Sequence, residues 1–146
     1  MSSEEEITIP SEIDGNKVSA ISGGAFVQLS SKKVIIPADA DYDLSENPFA
    51  AAILLKEFSV EEGSKNWTVK DGVLFTKDMK KLISYPAAKE DKAYTIPEGT
   101  EEIGTAAFYE ADIEDLTLAS SIKTLNRHCF SYMTNLKKID MSVAEI

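Results

Sequence analysis

The sequence predicts an α/β solenoid, in which a short parallel sheet takes one strand from each repeat and a short helical or irregular wall lies opposite. Three observations predict this fold. Short apolar strands recur along the chain, an aromatic landmark follows most of them, and the distance between strand and landmark hardly varies. The chain has 146 residues, of which 43% are hydrophobic, enough for one packed domain over residues 1–146.

The predicted strands carry apolar residues two positions apart, the period that places both on one face of a strand. Ile7-Thr8-Ile9-Pro10 recurs as 34–37 and as 94–97, and each copy closes with a proline, which donates no backbone N–H. Three looser copies lack the proline. They are Phe58-Ser59-Val60, Leu116-Thr117-Leu118 and Ile139-Asp140-Met141.

The aromatic landmark is a small residue followed by phenylalanine. Its copies are Ala25-Phe26, Pro48-Phe49, Ala107-Phe108 and Cys129-Phe130. The spacing from each phenylalanine to the next strand is nearly constant. In three copies a residue pair precedes the phenylalanine by a fixed distance, at 18/21, 100/103 and 122/125, and the second residue of each pair is Ile or Leu. Three landmarks that stay in phase indicate a true structural repeat.

Strand-to-strand steps of roughly 22 to 27 residues are typical of a right-handed leucine-rich-repeat solenoid. Each unit is too small to bury its own apolar face, so neighbouring units must stack. We place repeats over about 7–60 and 94–141. The longer step between them contains Asp71-Gly72 between two apolar runs, which predicts a β-hairpin insertion over about 61–93.

The charge balance excludes several classes of partner. The chain has 15 Lys+Arg and 25 Asp+Glu, a formal net charge of −10, so we expect neither a nucleic-acid partner nor attraction to anionic membranes. The apolar run 49–55 is much shorter than the ~20 residues that span a bilayer, so no membrane insertion is expected. Residues 1–6 are polar and acidic, and they predict no signal peptide.

His128-Cys129 is the one place where a base adjoins a thiol. Neighbours on one segment rarely reach each other as base and nucleophile. The repeat register places Cys129 in the small-residue slot of Ala25 and Ala107, so we interpret it as a buried small hydrophobe. His128 falls in a slot without an evident chemical preference. The sequence therefore predicts no catalytic residues and no enzyme.

Asp39, Asp41 and Asp43 resemble the start of a calcium-binding loop. The pattern then requires glycine and glutamate, where this chain has Leu44 and Ala50. A solvated acidic loop is the favoured interpretation and a weak calcium site the alternative. We therefore predict no metal and no cofactor.

The residue between the two apolar positions of each strand points away from the core. This exposed column is the candidate binding surface, and its members are Thr8, Ile35, Ser59, Thr95, Thr117 and Asp140. Trp67 in the hairpin is a further candidate, because an exposed aromatic side chain is a common binding anchor. A second interpretation places Trp67 over the core.

The motifs together resemble the BspA-like leucine-rich repeats, over about residues 7 to 141. The resemblance rests on Thr95-Ile96-Pro97, Ile103-Gly104, Ala107-Phe108 and the Leu-x-x-Ile step at 136–139. It implies a non-enzymatic, adhesion-type protein-interaction module of a bacterial cell-surface or secreted protein, with a protein partner on a host or bacterial surface.

Two other functions stay open. The first is a spacer that displays other domains. The second is a carbohydrate-binding or hydrolytic domain. The carbohydrate hypothesis requires Trp67 exposed beside paired carboxylates. The end strands, with Ile7 and Ile139, have no polar cap, so we expect either end-to-end self-association or a longer natural array.

Overall fold

The computed structural model describes residues 5–142, so most of the acidic N-terminal stretch lies outside the described residues. It contains thirteen short strands. They are β1 Glu6–Thr8, β2 Glu12–Ile13, β3 Asn16–Lys17, β4 Lys33–Ile36, β5 Glu57–Val60, β6 Trp67–Lys70, β7 Val73–Thr76, β8 Lys81–Ser84, β9 Ala93–Thr95, β10 Glu102–Ile103, β11 Asp115–Thr117, β12 Thr124–Leu125 and β13 Lys138–Asp140. None of the described residues forms a helix, so the outer wall consists of turns and the helical alternative is not found.

The predicted strands form two parallel three-stranded sheets, with the orders β1-β4-β5 and β9-β11-β13. The single continuous sheet expected from the sequence is interrupted where the insertion lies. There the backbone N–H of Phe58 in β5 donates to the carbonyl of Gly72 at 2.9 Å. The turn between β6 and β7 therefore meets β5 where the strand of another repeat would pair. We call the two sheets together the strand face.

A second wall contains further strands, so one strand per repeat is an incomplete description. β8, β10 and β12 pair in parallel, and β7 and β6 extend the same sheet in antiparallel order. In the first two repeats only a single bridge, from Ala20 to Asp43, marks this wall. The residue pairs that precede Phe108 and Phe130 supply β10 and β12, while β8 belongs to the insertion. Ile103 in β10 lies opposite Leu82 on one side and Leu125 on the other.

The predicted Asp71-Gly72 hairpin is present between β6 and β7. Asp71 has φ 52° and Gly72 has φ 78°, the left-handed conformation that two-residue hairpin turns favour. β8 follows as a third antiparallel strand and also pairs in parallel with β10. The insertion thus returns to the repeat at β8.

The phenylalanine slots stack along the core. Phe26 lies 5.5 Å from Phe49, and Phe108 lies 5.9 Å from Phe130, measured between ring centroids. Tyr85 stacks on Phe108 at 5.2 Å and so occupies this position in the third repeat, where the sequence has no phenylalanine landmark. The aromatic column is therefore longer than the sequence pattern indicates.

The slot of His128 has a backbone requirement that sequence reasoning missed. Gly24, Asn47, Ala106 and His128 occupy equivalent positions and have φ of 77°, 47°, 53° and 58°. These residues share a left-handed conformation and no side-chain chemistry. A left-handed residue other than glycine costs roughly 1–2 kcal/mol.

Replacing His128 with glycine is therefore expected to stabilise the protein by about 1 kcal/mol, because glycine adopts this conformation without a Cβ clash. The side chain is exposed, and its Nδ1 lies 3.3 Å from Ser131 Oγ. Urea unfolding measures the difference. His128→Ala is the control, since it removes that contact and keeps the strain. Equal stability of the two variants would show that backbone conformation does not decide this slot.

Candidate functional site

The exposed column forms two aligned runs on the strand face. Thr8 lies opposite Ile35, which lies opposite Ser59. Thr95 and Asp140 lie on either side of Thr117 in the second run. Thr8 and Thr95 are exposed, and the other four are partly exposed. The structure thus brings together the six predicted strand residues within their two sheets.

The column faces away from the core because buried residues lie before and after its members in the central strands. Val34 and Ile36 are both 0% exposed on either side of Ile35, and Leu116 and Leu118 are 1% exposed on either side of Thr117. Rotating such a strand by one residue would expose two large apolar side chains, so the orientation is strongly fixed.

The Asp71-Gly72 turn lies between the two runs, and a groove borders it on each side. On the β5 side is an open groove of about 380 Å³, lined in part by Ser59, Glu61 and Thr68. Beyond the turn is a second groove of about 460 Å³, to which Asp71 and Thr95 contribute. Sequence reasoning placed the hairpin but did not predict that its turn would divide the column.

Ion pairs between successive repeats flank the column. Lys32 Nζ lies 3.0 Å from Glu5 Oε1, and Lys137 Nζ lies 3.1 Å from Glu114 Oε2. On the row next to the column, Lys33 Nζ lies 3.8 Å from Glu57. These exposed pairs are each worth only about 0–1 kcal/mol. Their effect is to balance charge beside a column whose members are mostly small and uncharged.

Asp140 is the charged member of the column. Hydrogen bonds from Ser142, whose backbone N–H donates to Asp140 Oδ1 at 3.0 Å, lower the pKa of this carboxyl group. The C-terminal end of the column therefore keeps its negative charge at neutral pH.

Trp67 is not an exposed anchor, and this candidate is corrected. The indole is 5% exposed and stacks on Tyr42 with ring centroids 5.5 Å apart. Tyr42 in turn donates its hydroxyl to the Ile9 carbonyl at 2.7 Å. The hairpin thus turns this ring inward, as the core-covering interpretation proposed. The exposed tryptophan that the carbohydrate hypothesis requires is not present.

His128 and Cys129 do not form a reactive pair. Cys129 is 6% exposed, and burial raises the pKa of its thiol, which keeps it protonated at neutral pH. The ring of His128 is exposed and faces Ser131. The interpretation of Cys129 as a buried small residue is confirmed.

The carboxylates of Asp41 and Asp43 in the acidic loop accept hydrogen bonds from different segments of the chain. Asp43 Oδ1 accepts a hydrogen bond from the Ser45 backbone N–H at 2.8 Å, and Asp41 Oδ1 accepts one from Asn66 Nδ2 at 3.1 Å. Across residues 5–142, no three histidine, cysteine or acidic side chains lie close enough together to hold a metal ion. Over the same range, no helix is long and apolar enough to cross a bilayer.

Comparison with protein families identifies the repeat. Residues 87–146 match a family model described as a BspA type leucine rich repeat region of six copies. Residues 87–146 carry leucine-rich repeats of the BspA type. This match covers the part of the chain in which the strands, the residue pairs at 100/103 and 122/125, and the phenylalanine landmarks are most regular. The predicted resemblance is confirmed.

Solved structures with the same fold include a bacterial vaccine antigen and two bacterial leucine-rich repeat proteins. The pneumococcal vaccine antigen PcpA is 30% identical, with a TM-score of 0.74 over 88% of this chain and 32% of that chain. A leucine-rich repeat protein from Eubacterium ventriosum is 21% identical, with a TM-score of 0.76 over 92% of this chain and 41% of that one. This second likeness shows the fold alone.

A leucine-rich cell surface protein from Faecalibacterium prausnitzii is 22% identical, with a TM-score of 0.65 over 93% of this chain and 41% of that one. The chain therefore spans about a third to two fifths of the length of these three structures. No curated protein matches the chain. The chain thus has a leucine-rich-repeat fold, with BspA-type repeats over residues 87–146.

Proposed function

We propose that this module is a non-enzymatic protein-interaction unit of a bacterial surface or secreted protein, and that it binds its partner on the strand face. The observation that carries the proposal is the aligned column of small side chains on two parallel sheets. The cell-surface protein of Faecalibacterium prausnitzii, which shares the fold, is consistent with such a location.

The chemistry of the face suits a protein partner. Small side chains at Ser59, Thr95 and Thr117 leave room for a partner to approach the sheet closely, while their hydroxyl groups offer donors and acceptors. Partly exposed Ile35 adds apolar area in the first run. The two grooves beside the Asp71-Gly72 turn make the face concave, so that a partner of complementary shape can fill them.

Replacing Ser59, Thr95 and Thr117 with lysine together is expected to abolish partner capture. Three long charged side chains would block the column, and the buried core residues on either side would stay unchanged. The chain is immobilised and exposed to extracts of bacterial surfaces and of host extracellular matrix. Proteins held by the wild-type chain and lost with the variant are identified by mass spectrometry.

The matched control carries the same added charge elsewhere. Ser30, Thr124 and Thr134 are exposed and lie outside the column, so their triple lysine variant should retain the partner. Loss of capture by both variants would indicate a charge effect, and retention by the column variant would move the site away from the strand face. Either result contradicts the proposal.

A structural spacer is the second candidate function. It is favoured by the burial of Trp67 and by the lack of any aromatic residue among the six column members. A spacer requires only stable stacking of repeats. No capture by the wild-type chain from any extract would support this alternative over the binding proposal.

A further inference from the structure

The strand β9 has an open edge in the interior of the solenoid. The insertion precedes it and the strands β11 and β13 follow it, yet among residues 5–142 β9 pairs with β11 alone. The central strand β11 shows the usual pattern. Asp115 donates its backbone N–H to the Lys92 carbonyl at 3.1 Å on one side, and Leu118 donates to the Asp140 carbonyl at 2.9 Å on the other. β9 makes such bonds on one side only.

The backbone groups of Ala93 and Thr95 face this open edge. The Lys92 carbonyl and the Ile96 N–H both bond to β11, and successive residues of a strand direct these groups to alternate sides. Tyr94 therefore faces β11 as well, and the N–H and C=O groups of Ala93 and Thr95 point the opposite way. Within residues 5–142, no backbone group bonds to them.

The turn of the insertion covers the edge of β5 and leaves the edge of β9 uncovered. Phe58 in β5 donates its N–H to the carbonyl of Gly72 at 2.9 Å, so the turn satisfies that strand. In the described part of the chain, no equivalent bond joins the turn to β9. The groove of about 460 Å³ lies there instead, lined by Asp71, Lys89, Asp91, Ala93, Tyr94 and Thr95.

The side chains of β9 are less covered than those of equivalent strands. Val34, Phe58 and Leu116 are 0, 2 and 1% exposed in the inward slot, whereas Tyr94 in the same slot is only partly buried. Thr95 is fully exposed, although the column members of β4, β5 and β11 are partly covered. A further strand beside β9 would complete both slots.

We propose that the partner binds by adding an extended segment to the open edge of β9, as a further strand of the β9-β11-β13 sheet. This inference rests on the proposed function and specifies how the partner meets the strand face. The backbone groups of Ala93 and Thr95 supply the hydrogen bonds, which is the source of affinity in strand addition. A strand spacing of about 4.8 Å places the segment in the groove.

The groove also defines the side chains that the segment carries. Successive residues of a strand point to opposite faces, so one residue of the segment lies beside Tyr94 and faces the core. An apolar side chain there covers the accessible part of the ring. Asp71 is exposed and forms no ion pair among residues 5–142, whereas Lys89 pairs with Asp91. A lysine or arginine of the segment therefore complements Asp71.

Three variants separate these contributions. Thr95→Pro removes the outward N–H and none of the bonds between β9 and β11, and edge strands tolerate proline in this orientation. Thr95→Val is its matched control, because it keeps the N–H and removes only the hydroxyl group. Asp71→Asn removes the charge and keeps a favoured Asn-Gly turn. Circular dichroism checks that each variant folds.

The probe is a phage-displayed library of short random linear peptides, panned on the wild-type chain. Enriched peptides are synthesised, and their dissociation constants are measured by isothermal titration calorimetry. We expect alternating apolar and polar residues with at least one lysine or arginine. Thr95→Pro should weaken binding about tenfold, the effect of one lost hydrogen bond, and Thr95→Val should change it less than about twofold. Asp71→Asn should weaken it about threefold and reduce its dependence on salt.

Hydrogen exchange on the wild-type chain gives a readout that requires no variant. Bound peptide should slow exchange of the amide protons of Ala93 and Thr95, which otherwise face water. The amide proton of Thr117, which already lies between two strands, should exchange as before. Unchanged exchange at both Ala93 and Thr95 in the presence of saturating peptide would overturn the proposal.

The remaining outcomes distinguish this inference from the proposed function. Failure to enrich any peptide, or equal binding by Thr95→Pro and Thr95→Val, would overturn strand addition. So would a surface protein that the column variant fails to capture and that Thr95→Pro still holds, a result that leaves the proposed function intact. Peptide binding that depends on the Thr95 N–H, without capture of any surface protein, would support strand addition and contradict the proposed function.

Discussion

Replacing Phe108 with alanine is expected to lower the free energy of unfolding by about 3–5 kcal/mol, the largest effect of any single truncation we consider. The side chain is 0% exposed, and it contacts Tyr85, Tyr94 and Phe130 with ring centroids 5.2, 6.0 and 5.9 Å apart. Truncation removes these contacts and leaves a cavity between the third, fourth and fifth repeats. Equilibrium unfolding in urea measures the loss.

The matched control is Phe130→Ala. It deletes the same side chain from an equivalent slot at the end of the core, where the ring is already partly exposed. Its cost should be about half that of Phe108→Ala, because less apolar area is buried there. Equal costs at the two positions would contradict a core that is closed in the middle and open at the end.

Replacing Asn47 with alanine is expected to cost about 3 kcal/mol, although the residue carries no charge and little apolar area. Its side chain is buried and joins three parts of the chain. Nδ2 donates to the carbonyls of Ala106 at 3.0 Å and Ile83 at 3.4 Å, and Oδ1 accepts from the Phe49 backbone N–H at 3.2 Å. Alanine leaves buried polar groups without these partners, at roughly 1–3 kcal/mol for a group left unsatisfied.

Asn47→Gly separates the hydrogen bonds from the backbone conformation. Asn47 has φ 47°, which glycine adopts more readily than alanine. We therefore expect the free energy of unfolding of the glycine variant to be about 1 kcal/mol higher than that of the alanine variant. It should still be well below that of the wild type. A glycine variant as stable as the wild type would show that the amide contacts contribute little.

The sequence predicted the periodic parts of the fold because one physical requirement repeats. Every strand must place two apolar residues inward, so Val34 and Leu116 lie where the pattern indicates, each between neighbours of the same slot. The same argument placed the exposed column. The Asp71-Gly72 hairpin was predictable because few dipeptides favour two successive left-handed residues.

The unpredicted features depend on contacts between distant segments. Tyr85 takes a phenylalanine slot and follows the small residue Ser84, but a tyrosine inside the hairpin insertion does not match the phenylalanine landmark. The hairpin pattern alone allows Trp67 to face either side, and stacking on Tyr42 from a distant segment turns it inward. The left-handed slot had a signal, since Gly24 and Asn47 are residue types that tolerate positive φ, but Ala106 and His128 obscured it.

The strand face as a binding surface is tested most directly by nuclear magnetic resonance on the isotope-labelled 16.0 kDa chain. The partner captured by the wild-type chain is added in steps, and amide shift changes are mapped onto the structure. The account predicts that the largest changes lie at Ser59, Thr95 and Thr117 and their strand neighbours. Changes concentrated on the outer turns around Ser30 and Thr134, with the strand face unchanged, would contradict it.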